Sequence, residues 1–427
     1  MTRPDYQPLL DDCTAKLARE QKRANRISWT RLAVFLLTVA CAVPGFQHTQ
    51  WAGPLALLLG TAVFCVLVRR LNRVQADIRF LQARGEVLEA YLARLGDGWR
   101  TFPDTGEEFL GEDAPARDLN LFGKDSLYQF LCAAKSPNGR KVLADRLLNR
   151  MPSVPEILPR QRAVQELSED WDFLLELQTL SAQLPAEKRG EGQRSIEDFQ
   201  KLAAEPRPKT PLALTILIWL LPCVTLFTLV SAVLQIRTEL SLALCSCLVC
   251  LQLLITFLGF LRNQKLLAPL YAFCQGISAY RAIFALAERQ TFQCPYLQSL
   301  REKLTGGSLP ATQALRRLER IGEAVKLRHS GLMLLLLNGL LLWDYHCADR
   351  FLDWQAVCGR YVEGWMKAVG ELESLSSLAV LCYVRADSAF PNLVEQEKPT
   401  ISFAGLRHPL IPEQAAVGND FQLTGST

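Results

Sequence analysis

Four apolar runs set in two close pairs constrain this chain more than anything else in it. They occupy residues 32–46, 52–68, 211–235 and 240–261. A helix of about 20 apolar residues crosses the ~30 Å hydrocarbon core of a bilayer, and about 17 is the short limit. The third and fourth runs exceed that length and carry no charge, while the first two sit near the limit. Pro44 and Gly45 are expected to end the first run, and Pro222 to kink the third. The connector of the first pair places Trp51 at an interface. Basic residues crowd the outer flanks. Lys16, Arg19, Lys22, Arg23, Arg26 and Arg31 precede the first run, and Arg69, Arg70 and Arg73 follow the second. Arg207 and Lys209 precede the third, Arg262 and Lys265 follow the fourth, and the two tips hold Arg237 alone. The positive-inside rule then predicts two transmembrane hairpins with both termini cytoplasmic. The expected location is the cytoplasmic (inner) membrane, multi-pass, with the lipid bilayer as a partner. Two buried hairpins in a soluble protein are the competing expectation. A fifth apolar run, 331–343, is too short to span and reads as a buried core helix.

Outside these runs the chain is charged and nearly balanced, with 47 basic against 43 acidic residues and a net charge of +4. That balance gives no electrostatic footprint for nucleic acid. Six of the 13 cysteines (Cys41, Cys65, Cys223, Cys245, Cys247 and Cys250) lie in the apolar runs, where Cys behaves as a small hydrophobe. No His or carboxylate stands near Cys245, Cys247 and Cys250 to complete a metal site. The other seven are scattered singly, as in a reducing compartment. The first ~30 residues are polar and lack the pattern of a cleavable signal.

The segments between the runs read as helix. Residues 72–100 extend the second run as an amphipathic helix that stops at Gly96-Asp97-Gly98, and 101–116 read as a loop. Asp125-Ser126 cap a helix through Phe130, Pro137-Asn138-Gly139 form a turn, and 139–149 form a short helix. Pro152, Pro155 and Pro159 punctuate the connection to a helix over 157–180. Residues 264–290 and 310–386 are helix-forming throughout, and strand signals appear only at 400–403 and 421–423.

Several stretches, in order, resemble the MutS mismatch-repair family. They are Asp118-Leu119-Asn120-Leu121-Phe122-Gly123, Ser136-Pro137-Asn138-Gly139-Arg140-Lys141-Val142-Leu143, Ile157-Leu158-Pro159-Arg160-Gln161-Arg162-Ala163-Val164-Gln165-Glu166-Leu167, and Glu371 to Ala379. The last is Ile401-Ser402-Phe403-Ala404-Gly405-Leu406-Arg407-His408-Pro409-Leu410-Ile411, followed by Val417-Gly418-Asn419-Asp420-Phe421. The resemblance covers about 118–180 and 265–427. A membrane hairpin stands where the family carries its mismatch-reading domain, so the pattern is similar to a membrane-bound branch. The implied fold is mainly α: two transmembrane helical hairpins, a MutS-core-like helical domain, and the first strands of a truncated α/β P-loop ATPase domain. The segments are 1–31 (basic, cytoplasmic), 32–68 (first hairpin), 69–117 (amphipathic helix and linker), 118–210 (core), 211–261 (second hairpin), 262–398 (core continued, a lever) and 399–427 (incomplete ATPase start).

The resemblance implies ATP and Mg as cofactors and a homodimer formed through the missing ATPase domain. It places Ala416, Val417, Gly418 and Asn419 on the adenine side of the site, and gives His408 and Pro409 the turn between the first strands. No Gly-x-x-x-x-Gly-Lys-Ser/Thr loop is present. Thr424-Gly425-Ser426-Thr427 reads as a turn, since Asp420 stands too near Gly425 for the family's spacing. This stretch is therefore expected to be inactive as an ATPase. For His408 the simpler reading is a turn histidine bonded to backbone, and for Asn419-Asp420 a polar turn into a strand. Glu371 and Glu373 are two apart, do not share a helix face, and are expected to meet solvent or a helix partner. Two further functions stay open: a membrane-tethered protein that binds mismatched DNA, and a non-catalytic membrane scaffold.

Overall fold

The computed structural model describes residues 4–48, 51–149, 152–185, 191–205, 211–385, 387–394 and 400–424. Arg207, Lys209 and Gly425 to Thr427, which entered the sequence reading, lie outside them. The first apolar pair belongs to two very long helices, α1 (Tyr6–His48) and α2 (Ala52–Leu95), packed side by side. α1 runs through Pro44 without ending there, contrary to expectation. Its N-terminal half is helical too, because Leu9, Leu10 and Cys13 recur at helical spacing and pack inward. Gly60 lets the pair approach: a Cβ there would collide with the Thr38 side chain. Small residues serve this purpose where helices meet in lipid. Past the apolar stretch α2 continues into the soluble body, and it stops at Gly96 as the sequence predicts.

Short elements follow: α3 (Ala114–Asp118), α4 (Leu127–Leu131) and α5 (Pro137–Leu148). Ser126 and Ser136 cap α4 and α5 by accepting from the N–H groups of Gln129 and Gly139. Pro137 is thus the first residue of α5 and not part of a turn, since its fixed φ and missing N–H suit that position. The single helix expected over 157–180 is two, α6 (Val154–Glu169) and α7 (Trp171–Ala182). Asp170 breaks them by taking a non-helical backbone and accepting from Phe173 N. Pro155 and Pro159 lie within α6 and do not precede it.

After α8 (Glu191–Ala204) comes the second apolar pair, α9 (Leu212–Val233) and α10 (Thr238–Cys274). α10 leaves the apolar zone and enters the body, where Phe273 stacks on Phe199 at 4.0 Å. The body is completed by α11 (Ile277–Arg289), α12 (Pro295–Thr305), α13 (Ala311–Lys326), α14 (Gly331–Leu341), α15 (Trp343–Cys358) and α16 (Val362–Val384). The chain is mainly helical, with one two-stranded sheet of β1 (Thr400–Leu406) and β2 (Asn419–Thr424). α1, α2, α9 and α10 are each long and apolar enough to cross a membrane. Within the apolar stretches many of their leucines, valines and phenylalanines are exposed, as in Phe35, Leu58, Phe227 and Phe257.

α14 is not the buried core helix its sequence suggests. Leu332 (66 % exposed), Met333, Leu335 and Leu336 (45 %) are bare, while Gly339 faces Val249 and Leu253 of α10. α13 and α14 meet at 106°, so α14 turns off the body and lies against the second hairpin. Leucine strings are equally suited to a core and to lipid, and here α14 packs on α9 and α10 and leaves its leucines uncovered.

One helix organises the rest. α16 packs on α5, α6, α7 and α12 and is buried over most of its length. Gly370 admits Asn138, and Gly139 admits Glu373. Glu373 is fully buried; it accepts from Lys135 N and Ser136 N at 3.2 Å each and from the Ser136 hydroxyl. Ser377 accepts from Ala133 N and Ala134 N at 3.0 and 3.1 Å. Burial raises the Glu373 carboxyl above the ordinary carboxylate range, opposed by these donors. Glu371 pairs instead with Arg146 and accepts from Tyr296 Oη at 2.8 Å. The two glutamates thus meet different parts of the body.

Candidate functional site at the C-terminal hairpin

β1 and β2 pair antiparallel, with Ile401 opposite Leu423 and Phe403 opposite Phe421. The register slips between Phe403 and Leu406, where Gly405 adopts φ +67°. This is a glycine bulge, and the Gly405 N–H donates to Asp420 Oδ1 at 2.7 Å. Ile401, Phe403, Phe421 and Leu423 share one face by strand alternation, and the two phenyl rings stack at 5.7 Å. That face is open: Ile401, Phe421 and Leu423 are each more than half exposed. A lone two-stranded hairpin is marginal in water, so its placement depends on what holds its ends.

Arg385, immediately after α16, holds one end. It is buried and donates from Nε to Pro409 O at 3.1 Å and from Nη2 to Ile411 O at 3.4 Å. Nη1 donates to Arg94 O at 3.4 Å, and the guanidinium lies over the Phe130 ring at 5.3 Å. Arg94, in the last turn of α2, donates to Phe130 O at 2.6 Å and Cys132 O at 3.0 Å. Burial lowers the Arg94 pKa, opposed by Tyr91 and Cys132, and burial pushes the Cys132 thiol up to about 12. One junction therefore joins the end of the first apolar hairpin, the end of α16, α4 and the 409–411 turn. Nearby, Tyr6, Tyr91, Trp171 and Tyr383 pack ring on ring, and the hydroxyls of Tyr6 and Tyr383 donate to Tyr383 O and Ser168 O. Both helices of the first hairpin are thereby fixed to α7 and α16.

The residues singled out in sequence fall around this junction. Pro409 supplies a carbonyl to Arg385. His408 Nδ1 accepts from Leu410 N at 3.3 Å, the geometry of a turn histidine. Ala416 N donates to Pro412 O at 3.0 Å, and Val417 is 76 % exposed. Gly418 presses on the Gly405 backbone, where a Cβ would stand 3.2 Å from Gly405 Cα. Asn419 opens β2 and reaches Val417 O at 3.4 Å. These residues are brought together, but residues 400–424 do not by themselves fit ATP and Mg. Asp420 is engaged by Gly405, and the loop between the strands supplies no lysine. Among the described residues no group of three or more His, Cys, Asp or Glu is placed to hold a metal.

Sequence reasoning missed Arg94 and Arg385. Their acceptors are main-chain carbonyls, which leave no signature in the sequence.

Helical architecture, paired apolar spans and an anchored hairpin together define a class: a helical protein with four candidate membrane spans and a soluble body. Comparison with protein-family models, curated proteins and solved structures returns no match.

Proposed function

We propose that residues 1–427 are the membrane anchor and lever of a MutS-like ATPase. The hairpins sit in the cytoplasmic membrane with the body and both termini on the cytoplasmic side. The body passes movement between a nucleotide-binding unit and the membrane helices. The observation that carries this reading is the Arg94–Phe130–Arg385 junction, which ties α2 to the turn at Pro409 and Ile411. α2 spans 44 residues, about 66 Å at 1.5 Å per residue. A displacement of the 409–411 turn is thus delivered to a rigid rod whose far half is apolar. The uncovered Ile401–Phe403–Phe421–Leu423 face fits packing against further layers of a P-loop ATPase domain. By the resemblance, Ala416 to Asn419 would lie along the adenine side of that domain, ATP with Mg would bind there, and two copies would pair. Mismatched DNA is a weaker candidate substrate because the charge is balanced.

Reading the coding frame beyond Thr427 tests the proposal. A strand followed by a Gly-Lys-Ser/Thr loop within about twenty residues supports it. A stop codon in its place contradicts it and favours a membrane scaffold.

A further inference from the structure

Between the second apolar hairpin and the body lies a cavity of about 250 Å³. Its wall on the α9 side is Trp219, Cys223 and Leu226, one face of that helix, and its far wall is Leu341, Trp343 and His346. Trp219 and His346 meet edge to face at 4.6 Å. The lining is largely apolar, and Trp219 is itself exposed on the flank of α9. Arg350, one turn beyond His346 on α15, also lines the cavity. The same arginine lines a neighbouring groove of about 520 Å³ together with Arg317 and Arg320 of α13. Three guanidinium groups there face one carboxylate, Asp353. Arg317, Arg320 and Arg350 are exposed and make no ion pair among the described residues.

An apolar slot that continues into a cationic groove at the edge of a membrane hairpin matches one kind of molecule. We propose that this site binds an anionic phospholipid. One acyl chain lies against Trp219, Cys223 and Leu226, and the phosphate is held by Arg350 with Arg317 and Arg320. Arginine suits the role because its planar fork gives two parallel bonds to phosphate oxygens. Trp219 and Trp343 supply the amphipathic rings favoured at the headgroup level. Basic pockets beside membrane helices on the cytoplasmic side recognise lipid headgroups in this way. The site rests on the membrane reading of the second hairpin and is independent of the ATPase reading. It makes the junction of α9, α13 and α15 selective for lipid type, where the spans alone respond only to bilayer thickness.

The test uses the whole chain, delipidated in detergent and titrated with dioleoylphosphatidylglycerol or dioleoylphosphatidylcholine while bound lipid is counted by native mass spectrometry. Each arginine near a headgroup is worth about fivefold in affinity. The wild type is therefore expected to prefer the first phosphatidylglycerol by at least about tenfold over phosphatidylcholine. Arg350→Gln should reduce the preference, and Arg317→Gln/Arg320→Gln/Arg350→Gln should abolish it with an unchanged circular dichroism spectrum. Arg316→Gln, outside the groove, should leave it intact. Equal binding of the two lipids by the wild type, or a preference that survives the triple variant, overturns the site. Equal competition by soluble glycerophosphate shows a bare anion site and overturns the acyl-chain assignment. Release of the wild-type chain from vesicles by alkaline carbonate overturns the membrane reading as well. A chain that stays in the vesicles without lipid preference overturns this site alone.

Discussion

Replacing Glu373 with alanine should do more damage than any other single change in the soluble body. The substitution removes the acceptor for Lys135 N, Ser136 N and the Ser136 hydroxyl; the two Ser136 donors are buried, while Lys135 lies at the surface. A buried donor left without a partner costs about 1–3 kcal/mol, so the two of Ser136, at ~1.5 each, cost about 3 kcal/mol. Loss of the glutamate's Cγ methylene adds ~0.8 kcal/mol. Ser136 also caps α5, so the loss spreads to the start of that helix. A total of ~4 kcal/mol corresponds to a melting shift of about 8 °C or more, at ~2–4 °C per kcal/mol for a body of this kind. Glu373→Gln keeps one acceptor oxygen but turns an NH2 toward the Ser136 hydroxyl, and should cost about 1–2 kcal/mol. The assay is a thermal melt of purified protein in one detergent, followed by intrinsic fluorescence and by limited proteolysis around residues 133–139. The reasoning is refuted if Glu373→Ala melts within about 2 °C of the wild type, below the shift expected of one lost hydrogen bond.

Other expectations follow from the same packing. Arg385→Gln should free the 409–411 turn, raising hydrogen–deuterium exchange across residues 400–424 while α10 and α16 keep wild-type protection; unchanged exchange contradicts the anchor. His346 has a pKa lowered from its ordinary 6.5 by burial, with Arg350 contributing. Its share of stability is therefore complete above 6.5 and is lost as pH falls through the folded value. Melting temperature should drop between pH 7.5 and 5, and His346→Gln should flatten that drop. Gly60→Leu drives a side chain into Thr38 and should weaken the α1–α2 pair, seen as slower disulfide formation between cysteines introduced across the first hairpin. Gly259→Val collides with Tyr345, whose hydroxyl donates to Ile255 O at 3.1 Å, and should loosen α15 from α10, read as increased proteolysis after Leu341.

Much of the architecture was legible because bulk properties carry it. Length and apolarity give α9 and α10, and the strand signals at 400–403 and 421–423 give β1 and β2, but the bulge at Gly405 is seen only in the folded chain. Errors arose where one residue type has two uses. Pro137 reads as a turn former, yet the serine before it makes it a helix start. Pro44 reads as a stop, yet α1 continues past it. Leu332 to Leu336 read as core because a leucine string does not say whether its neighbours are side chains or lipid. Asp170 splits an apparently continuous helix through one capping bond. For Glu373 the sequence leaves solvent or a helix partner open, whereas the partner is the non-helical backbone at 135–136, ahead of α5 and 237 residues away at Ser136. His408 as a backbone-bonded turn residue follows from its own local sequence, whereas Arg385 needed the folded chain to bring carbonyls to it.

The central claim, that two hairpins cross a membrane and leave the whole helical body on one side, is tested most directly by cysteine accessibility. Single cysteines are introduced into a cysteine-free chain at Trp51, Glu112, Arg237 and Glu413, and intact cells are treated with a thiol reagent that cannot cross the inner membrane. The account predicts labelling at 51 and 237 in intact cells, and at 112 and 413 only after the membrane is opened. Labelling of all four only after opening, or of 112 together with 237 before it, contradicts it.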